Sequence, residues 1–433
     1  MNYAIFPPED FLEARLSLPL SKSMSARALI ISALTPGAQL PAGVAECDDT
    51  DALVAALSDS DPGMRTINVG AAGTTMRFLT AYYAALPGSN VIIDGSERMR
   101  RRPIGVLVEA LRELGATITY QREEGFPPLH IEGKRLRGGS LSVDASISSQ
   151  YISALLMVAP TMTEGLRLTL TGEVTSRPYI LMTLGMMADH GVEGEYYDGT
   201  VTVPAATYRE PLTPRPIEGD WSAAATWYEA EALSAGVITI DNLKRDSLQG
   251  DRVLAEIFER IGVLTDWEPD EGGTELTPSP DAYARLDYDF TECPDLAQYA
   301  AVTCAMLGMP FRFTGLHTLA IKETDRIAAL HMELARIGVI TDTSEPATLS
   351  WDGRRVPVSR HPVFSTYNDH RMAMSFAPTA LYIPGVIIRD AEVVSKSYPE
   401  YWDHLQDAGF TLRPVTDEQI AAIEAGQNPF AEQ

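Results

Sequence analysis

A chain of 433 residues is too long for one ordinary hydrophobic core, so two domains are expected. Its composition, 45% hydrophobic and 21% charged, is that of a soluble globular protein. The net charge of −25, from 34 basic and 59 acidic side chains, disfavours nucleic acid as a partner. An anionic ligand would need a local basic cluster that overrides this field.

Met1 to Leu20 carries Pro7, Pro8, Glu9, Asp10 and Glu13 and no apolar h-region, so it does not read as a signal peptide. The longest apolar runs, Tyr151–Pro160 and Phe376–Ile388, are short or interrupted by proline, and no membrane span is expected. Cys47, Cys293 and Cys304 form no C-x-x-C pair. That speaks against a zinc site or a disulfide framework and suits a reducing cytosol, so a cytoplasmic location is expected.

Candidate anion sites fall at helix starts, where free N–H groups and a partial positive charge converge. Ser21 or Ser23 can cap a first helix that carries Lys22 and Arg27. Gly70–Arg77 opens a second, and its small residues let the backbone near Gly73 approach a ligand. Arg98–Pro103 is the densest basic run; Pro103 is expected to begin a helix over Ile104–Leu114, with Arg102 at its N-terminus. Ser148, Ser149 and Gln150 open a third helix, Gly219–Ser222 a fourth and Pro294–Asp295 a fifth. Lys322, Glu323 and Arg326 crowd ahead of the amphipathic run Ile327–Gly338, with Glu323 and Arg326 at i,i+3 spacing. Tyr367–Met372 supplies His370 and Arg371, and Ser395–Pro399 supplies Lys396 before a further helix. Asp417–Gln433 reads as a polar tail. Taken singly, each start is also what a capped surface helix or a structural ion pair shows.

A long internal repeat ties these starts together. Five segments run amphipathic helix, glycine, short apolar strand: Leu107–Tyr120, Leu181–Tyr197, Val253–Trp267, Leu330–Thr343 and Tyr401–Pro414. Their glycines, Gly115, Gly191, Gly262, Gly338 and Gly409, lie 76, 71, 76 and 71 residues apart and are expected as left-handed helix caps. The polar helix starts recur at a similar interval, with the first unit abridged. Six units fill the chain, an α/β architecture of three units per domain.

Together the strings SKSMSARAL, GAAGTTMRFL, RMRRRPIG, SISSQYISALLM, SRPYI, EGDWSAA, CPDLAQ, IKETDRI, YNDHRMAM and SKSYPEYW, in this order, resemble the enolpyruvyl transferase family. Within it they resemble the branch that acts on shikimate 3-phosphate. The resemblance spans Leu20 to Leu405 and implies two similar lobes of three α/β units each. This is an inside-out α/β barrel with helix N-termini facing an inter-lobe cleft. One lobe is expected over residues 1–19 plus 218–433 and the other over 20–217, with crossings near Leu20 and Ile217. The implied reaction moves the enolpyruvyl group of phosphoenolpyruvate to the 5-hydroxyl of shikimate 3-phosphate, through a tetrahedral intermediate, in aromatic amino acid biosynthesis. The family is usually monomeric, and no metal or organic cofactor is implied.

Carried over by position, Lys22, Gly73, Arg102, Gln150, Arg326, Arg371 and Lys396 are expected to bind phosphoenolpyruvate. Lys22, Ser23, Arg27, Ser148, Ser149, Gln150, Ser176, Tyr179, Asp295, Thr318 and Lys322 are expected to bind shikimate 3-phosphate. Lys22, Asp295, Glu323 and Lys396 are the catalytic candidates: addition needs a base at the hydroxyl and an acid at the methylene carbon. Three positions depart from the family pattern. Ala71 and Thr318 stand where asparagine is common, and Phe78 where proline is frequent. The nearest alternative is the sibling that acts on UDP-N-acetylglucosamine. That enzyme often carries a cysteine just before the position of Arg102, and Gly95–Arg102 has none. A non-catalytic anion-binding relative is the other.

Overall fold

The computed structural model describes residues 1–58, 63–145, 149–172, 174–358 and 361–426. They form two compact units: Met1–Pro19, Glu218–Ser247 and Asp251–Gln433 in the first, Leu20–Ile217 and Leu248–Gly250 in the second.

The repeat is written in the sheets. In the second unit, Arg65–Asn68 runs parallel to Asn90–Asp94, which pairs antiparallel with Leu129–Glu132, itself antiparallel to Thr117–Tyr120. Gly139–Asp144, Leu166–Thr171, Thr200–Val203 and Glu195–Tyr197 repeat this topology. A parallel pair cannot be closed by a hairpin, so a helix must cross over between its strands. Gly73–Ala85 and Ser149–Val158 are those crossovers.

In the first unit the same order returns with Glu13–Leu16, Val237–Ile240, Thr274–Pro278 and Val263–Asp266. It returns again with Val363–Phe364, Val386–Ile388, Tyr3–Phe6 and Thr411–Pro414. The first sixteen residues thus lend one strand to each of two sheets, one otherwise built from the middle of the chain and one from its far end.

All five repeat glycines have positive φ, from +77° at Gly191 to +119° at Gly262, as their capping role requires. The strand expected after Gly338 does not form. Leu286–Asp289, Phe311–Thr314 and Leu349–Trp351 make a three-stranded sheet, and Val339 and Asp342 contribute only isolated bridges. The abridged first repeat, in the second unit, shows the helices Lys22–Leu34 and Asp48–Ser58, and that unit has two sheets among its described residues.

Helices that cross over inside each unit are buried nearly all round. Trp221–Ser234 buries Trp221, Trp227 and Tyr228 completely, and Gly73–Ala85 exposes almost nothing. A helix apolar on every face belongs in a core. The expected C-terminal tail is a correction: Asp417–Glu424 is a helix with a full capping box from Thr416 and Gln419. Its Ile420 and Ile423 pack on Ala4, Val363 and Ile387. Two isoleucines at i,i+3 spacing outweigh the polar composition around them.

Candidate active site

In the first unit the sequence candidates converge on one carboxylate. Asp295 lies in the 3-10 turn Pro294–Leu296 that leads into helix Ala297–Leu307. Its oxygens lie 2.6 Å from Arg326 Nη1, 3.4 Å from Lys322 Nζ and 3.4 Å from Arg371 Nη2. Burial alone would raise its pKa, but Lys322, Arg371 and Arg326 outweigh it and hold the carboxyl well below the usual range.

Arg326 opens helix Arg326–Ala335 and is 1% exposed. Besides Asp295 it donates to Glu323 Oε2 at 3.0 Å and to both oxygens of Asp369, at 2.7 and 3.2 Å. Burial opposes its charge, yet Asp369, Asp295 and Glu323 together raise its proton affinity. The i,i+3 contact between Glu323 and Arg326 forms although Glu323 precedes the helix.

Asp369 was not among the sequence candidates. It is fully buried, and it also accepts the Arg371 backbone N–H at 2.9 Å, capping helix His370–Phe376. An aspartate directly before a helix is a cap signal; its second task, as counter-ion to Arg326, depends on a residue 43 positions away. The two residues before it, Tyr367 and Asn368, both have left-handed φ, 54° and 57°. Lys396 closes the 3-10 turn Ala391–Lys396 and donates from Nζ to the Asn368 carbonyl. Thr318 lies in the 3-10 helix His317–Ile321, its hydroxyl buried with no hydrogen-bond partner among the described residues.

The second unit gathers the remaining candidates. Ser21, not Ser23, caps the helix Lys22–Leu34, accepting from Met24 N. Lys22 Nζ is 3.3 Å from Asp49 Oδ2. Arg27, on the same helix, is 3% exposed and reaches Thr183 Oγ1 at 2.8 Å, Ser153 Oγ at 2.9 Å and the carbonyls of Ser23 and Tyr179. No carboxylate pairs with it among the described residues, and burial pushes its pKa down to about 10. Its guanidinium lies 5.5 Å from the Phe78 ring centroid and 5.7 Å from that of Tyr179. A buried cation held by hydroxyls, carbonyls and ring faces favours an anion nearby.

Gly73 begins helix Gly73–Ala85, whose N-cap, Ala72, makes no side-chain cap bond. A Cβ at Gly73 would meet Arg102 Nη1 at 2.6 Å, so only glycine admits that guanidinium beside the helix start. Arg102 itself corrects the expectation at Pro103. The basic run forms a 3-10 turn, Met99–Arg101, ended by Arg102, and the helix begins later, at Gly105. Arg102 therefore serves the helix start at Gly73, not its own. Gln150 Nε2 donates to Thr74 Oγ1 at 3.1 Å. Ser149 is the first residue of helix Ser149–Val158, and Ser148 lies outside the described residues. Ser176 precedes helix Arg177–Asp189 with left-handed φ of 56°, and Tyr179 sits in its first turn.

The sequence profile described as EPSP synthase (3-phosphoshikimate 1-carboxyvinyltransferase) matches residues 60–405. The chain belongs to the EPSP synthase family. A relative named 3-phosphoshikimate 1-carboxyvinyltransferase from Bacteroides fragilis is 49% identical over 415 residues, covering 95% of this chain and 99% of that one. One of the same name from Methanospirillum hungatei is 36% identical over 416 residues, covering 90% and 94%. A solved EPSP synthase from Acinetobacter baumannii shares the fold, with a TM-score of 0.75 at 19% identity over 95% of this chain and all of that one. Against the EPSP synthase pattern, the departure at Phe78 has a physical role here, since its ring is one of the two beside Arg27. Ala71 is exposed and adds no polar group next to Gly73.

Proposed function

We propose that this chain transfers the enolpyruvyl group of phosphoenolpyruvate to the 5-hydroxyl of shikimate 3-phosphate, releasing phosphate, in the pathway to chorismate and the aromatic amino acids. The observation that carries the residue assignment is the anionic Asp295 beside Lys322, Arg326 and Arg371, with Glu323 on the same guanidinium.

Arg326 and Arg371 clamp the carboxylate of phosphoenolpyruvate, a task suited to the guanidinium fork. Lys22, Gly73 N–H, Arg102, Gln150 and Lys396 take its phosphate. Ser23, Arg27, Ser148, Ser149, Ser176, Tyr179, Thr318 and Lys322 hold the acceptor. Ligand-free, Asp295 is a weak base because three cations stabilise its charge. When the arginines turn to the substrate carboxylate, Asp295 loses part of that stabilisation and its proton affinity rises. Substrate binding thereby switches on the base.

Asp295 then takes the proton of the 5-hydroxyl as the hydroxyl oxygen bonds to the enol carbon, and Glu323, which takes up a proton from solvent once Arg326 turns to the substrate carboxylate, delivers it to the methylene carbon. In elimination the new methyl group returns a proton to Glu323. The C–O bond to phosphate breaks, and the leaving group takes a proton from Lys396 and is stabilised by Lys22. Asp295 and Glu323 yield their protons to solvent and Lys396 regains its own. A monomer acting in the cytoplasm completes the proposal.

Phosphate release with phosphoenolpyruvate and shikimate 3-phosphate, and none with UDP-N-acetylglucosamine, is the expected result. Release with the UDP-sugar alone would overturn the acceptor assignment. Binding of both substrates without phosphate release would leave an anion-binding protein in place of an enzyme.

A further inference from the structure

Three residues join the second unit from outside its main span. Ser247 and Asp251 belong to the first unit, but Leu248, Gln249 and Gly250 between them group with Leu20–Ile217. Each touches an acceptor helix. Gln249, 4% exposed, accepts at Oε1 from the hydroxyl of Ser21, at 2.8 Å, and Ser21 is itself fully buried. Ser21 is the cap that starts Lys22–Leu34, the helix carrying Lys22, Ser23 and Arg27. Gly250 lies so close to Pro178, in the first turn of Arg177–Asp189, that a Cβ on it would meet Pro178 Cβ at 2.2 Å. Leu248 covers Gly185 of that same helix, with its methyls 3.1 and 3.2 Å from where a Cβ would stand. Arg27 joins the two helices from the other side through Thr183 and the Tyr179 carbonyl.

We propose that Leu248–Gly250 is a strap that positions the two acceptor-binding helices, with Gln249 the positioning residue that fixes the Ser21 cap and so the start of the helix bearing Lys22 and Ser23. The geometry carries it. A hydroxyl that serves as a cap must aim its lone pair at the helix N–H, and its own proton then needs a fixed acceptor. Gln249 supplies that acceptor in a site without exposure, where a wandering hydroxyl would leave a buried donor unpaired. The strap is held in turn by contacts that admit only glycine at 250. Gln249 does not touch substrate in this scheme; it sets where Lys22 and Ser23 point. The proposal rests on the acceptor assignment made above.

The test uses the whole chain with Gln249→Met, which keeps length and packing but removes the strong acceptor, together with Ser21→Ala and the double variant. Shikimate 3-phosphate binding is measured by titration calorimetry, and the Michaelis constants of both substrates by phosphate release at saturating partner. Gln249→Met should weaken shikimate 3-phosphate about fivefold to tenfold, the factor one buried hydrogen bond carries. The Michaelis constant for phosphoenolpyruvate, which draws on Lys22 alone of that helix, should rise by less than that of the acceptor, and kcat should fall modestly because Lys22 also stabilises the leaving phosphate. The double variant should bind no worse than Ser21→Ala alone, since both remove the same interaction. Wild-type acceptor affinity in Gln249→Met, equal loss for both substrates, or additive losses in the double variant would each overturn the strap. Failure of the wild-type chain to bind shikimate 3-phosphate would overturn the functional reading instead.

Discussion

Asp369 offers the sharpest test of how the first unit holds its cationic centre. Asp369→Asn leaves helix His370–Phe376 capped, because asparagine caps as well as aspartate and one oxygen remains for the Arg371 N–H. It removes the charge facing Arg326, and its amide places a donor where a carboxylate oxygen now accepts, at 2.7 or 3.2 Å. Uncoupling a buried ion pair by removing one partner costs about 3–5 kcal/mol. Asp295 and Glu323 remain beside the guanidinium, so the lower end, about 3 kcal/mol, applies. For a unit of this size, with roughly 2–4 °C lost per kcal/mol, the unfolding midpoint should fall by about 6–12 °C. The readout is selective: all five tryptophans, Trp221, Trp227, Trp267, Trp351 and Trp402, lie in the first unit, so their fluorescence follows its unfolding. A midpoint within about 2 °C of wild type would refute the view that Asp369 is the principal counter-ion of Arg326.

Asp295→Asn should lower kcat by about 10²- to 10⁴-fold, the range of a lost general base, in a phosphate-release assay; near-native turnover would remove Asp295 from the mechanism. Gly73→Ala should raise the Michaelis constant for phosphoenolpyruvate about tenfold or more, because the new methyl displaces Arg102 and with it one charge-assisted hydrogen bond. Stability should fall as pH rises through the range set by Glu229 and Glu231, buried carboxyls with no hydrogen-bond partner among the described residues. Burial pushes Glu231 up to about 8 and Glu229 well above its usual range. A carboxyl raised in the folded state contributes its stability fully below the unfolded value, about 4.3, and loses it as pH climbs through the folded value. Glu231→Gln should therefore flatten the decline of the unfolding midpoint between about pH 5 and 8, seen by scanning calorimetry. Asp295 acts with the opposite sign: its stabilisation is present above about 3.9 and is lost as acid drives the pH through its lower folded value.

Much of this molecule is legible in one dimension because its signals are local. Glycine after a helix, a polar residue before one and a regular interval between such pairs need only neighbouring residues to act. The caps at Gly115 and Gly262 and the Ser21 start follow from backbone chemistry alone. The family strings likewise brought Lys322, Glu323, Arg326 and Arg371 onto one list without any contact being known.

What only the tertiary structure decided concerns residues whose role depends on a distant partner. Nothing near Asp369 in the chain says that it will lie against Arg326. Nor does the sequence around Arg102 reveal that its guanidinium belongs to the helix start at Gly73, while the local proline signal pointed elsewhere. The strand missing after Gly338 and the helix at Asp417–Glu424 likewise turn on packing surfaces supplied from other parts of the fold. Local propensity fixes which elements are possible; burial and charge pairing between remote segments select the partners, and in this protein that selection builds the site.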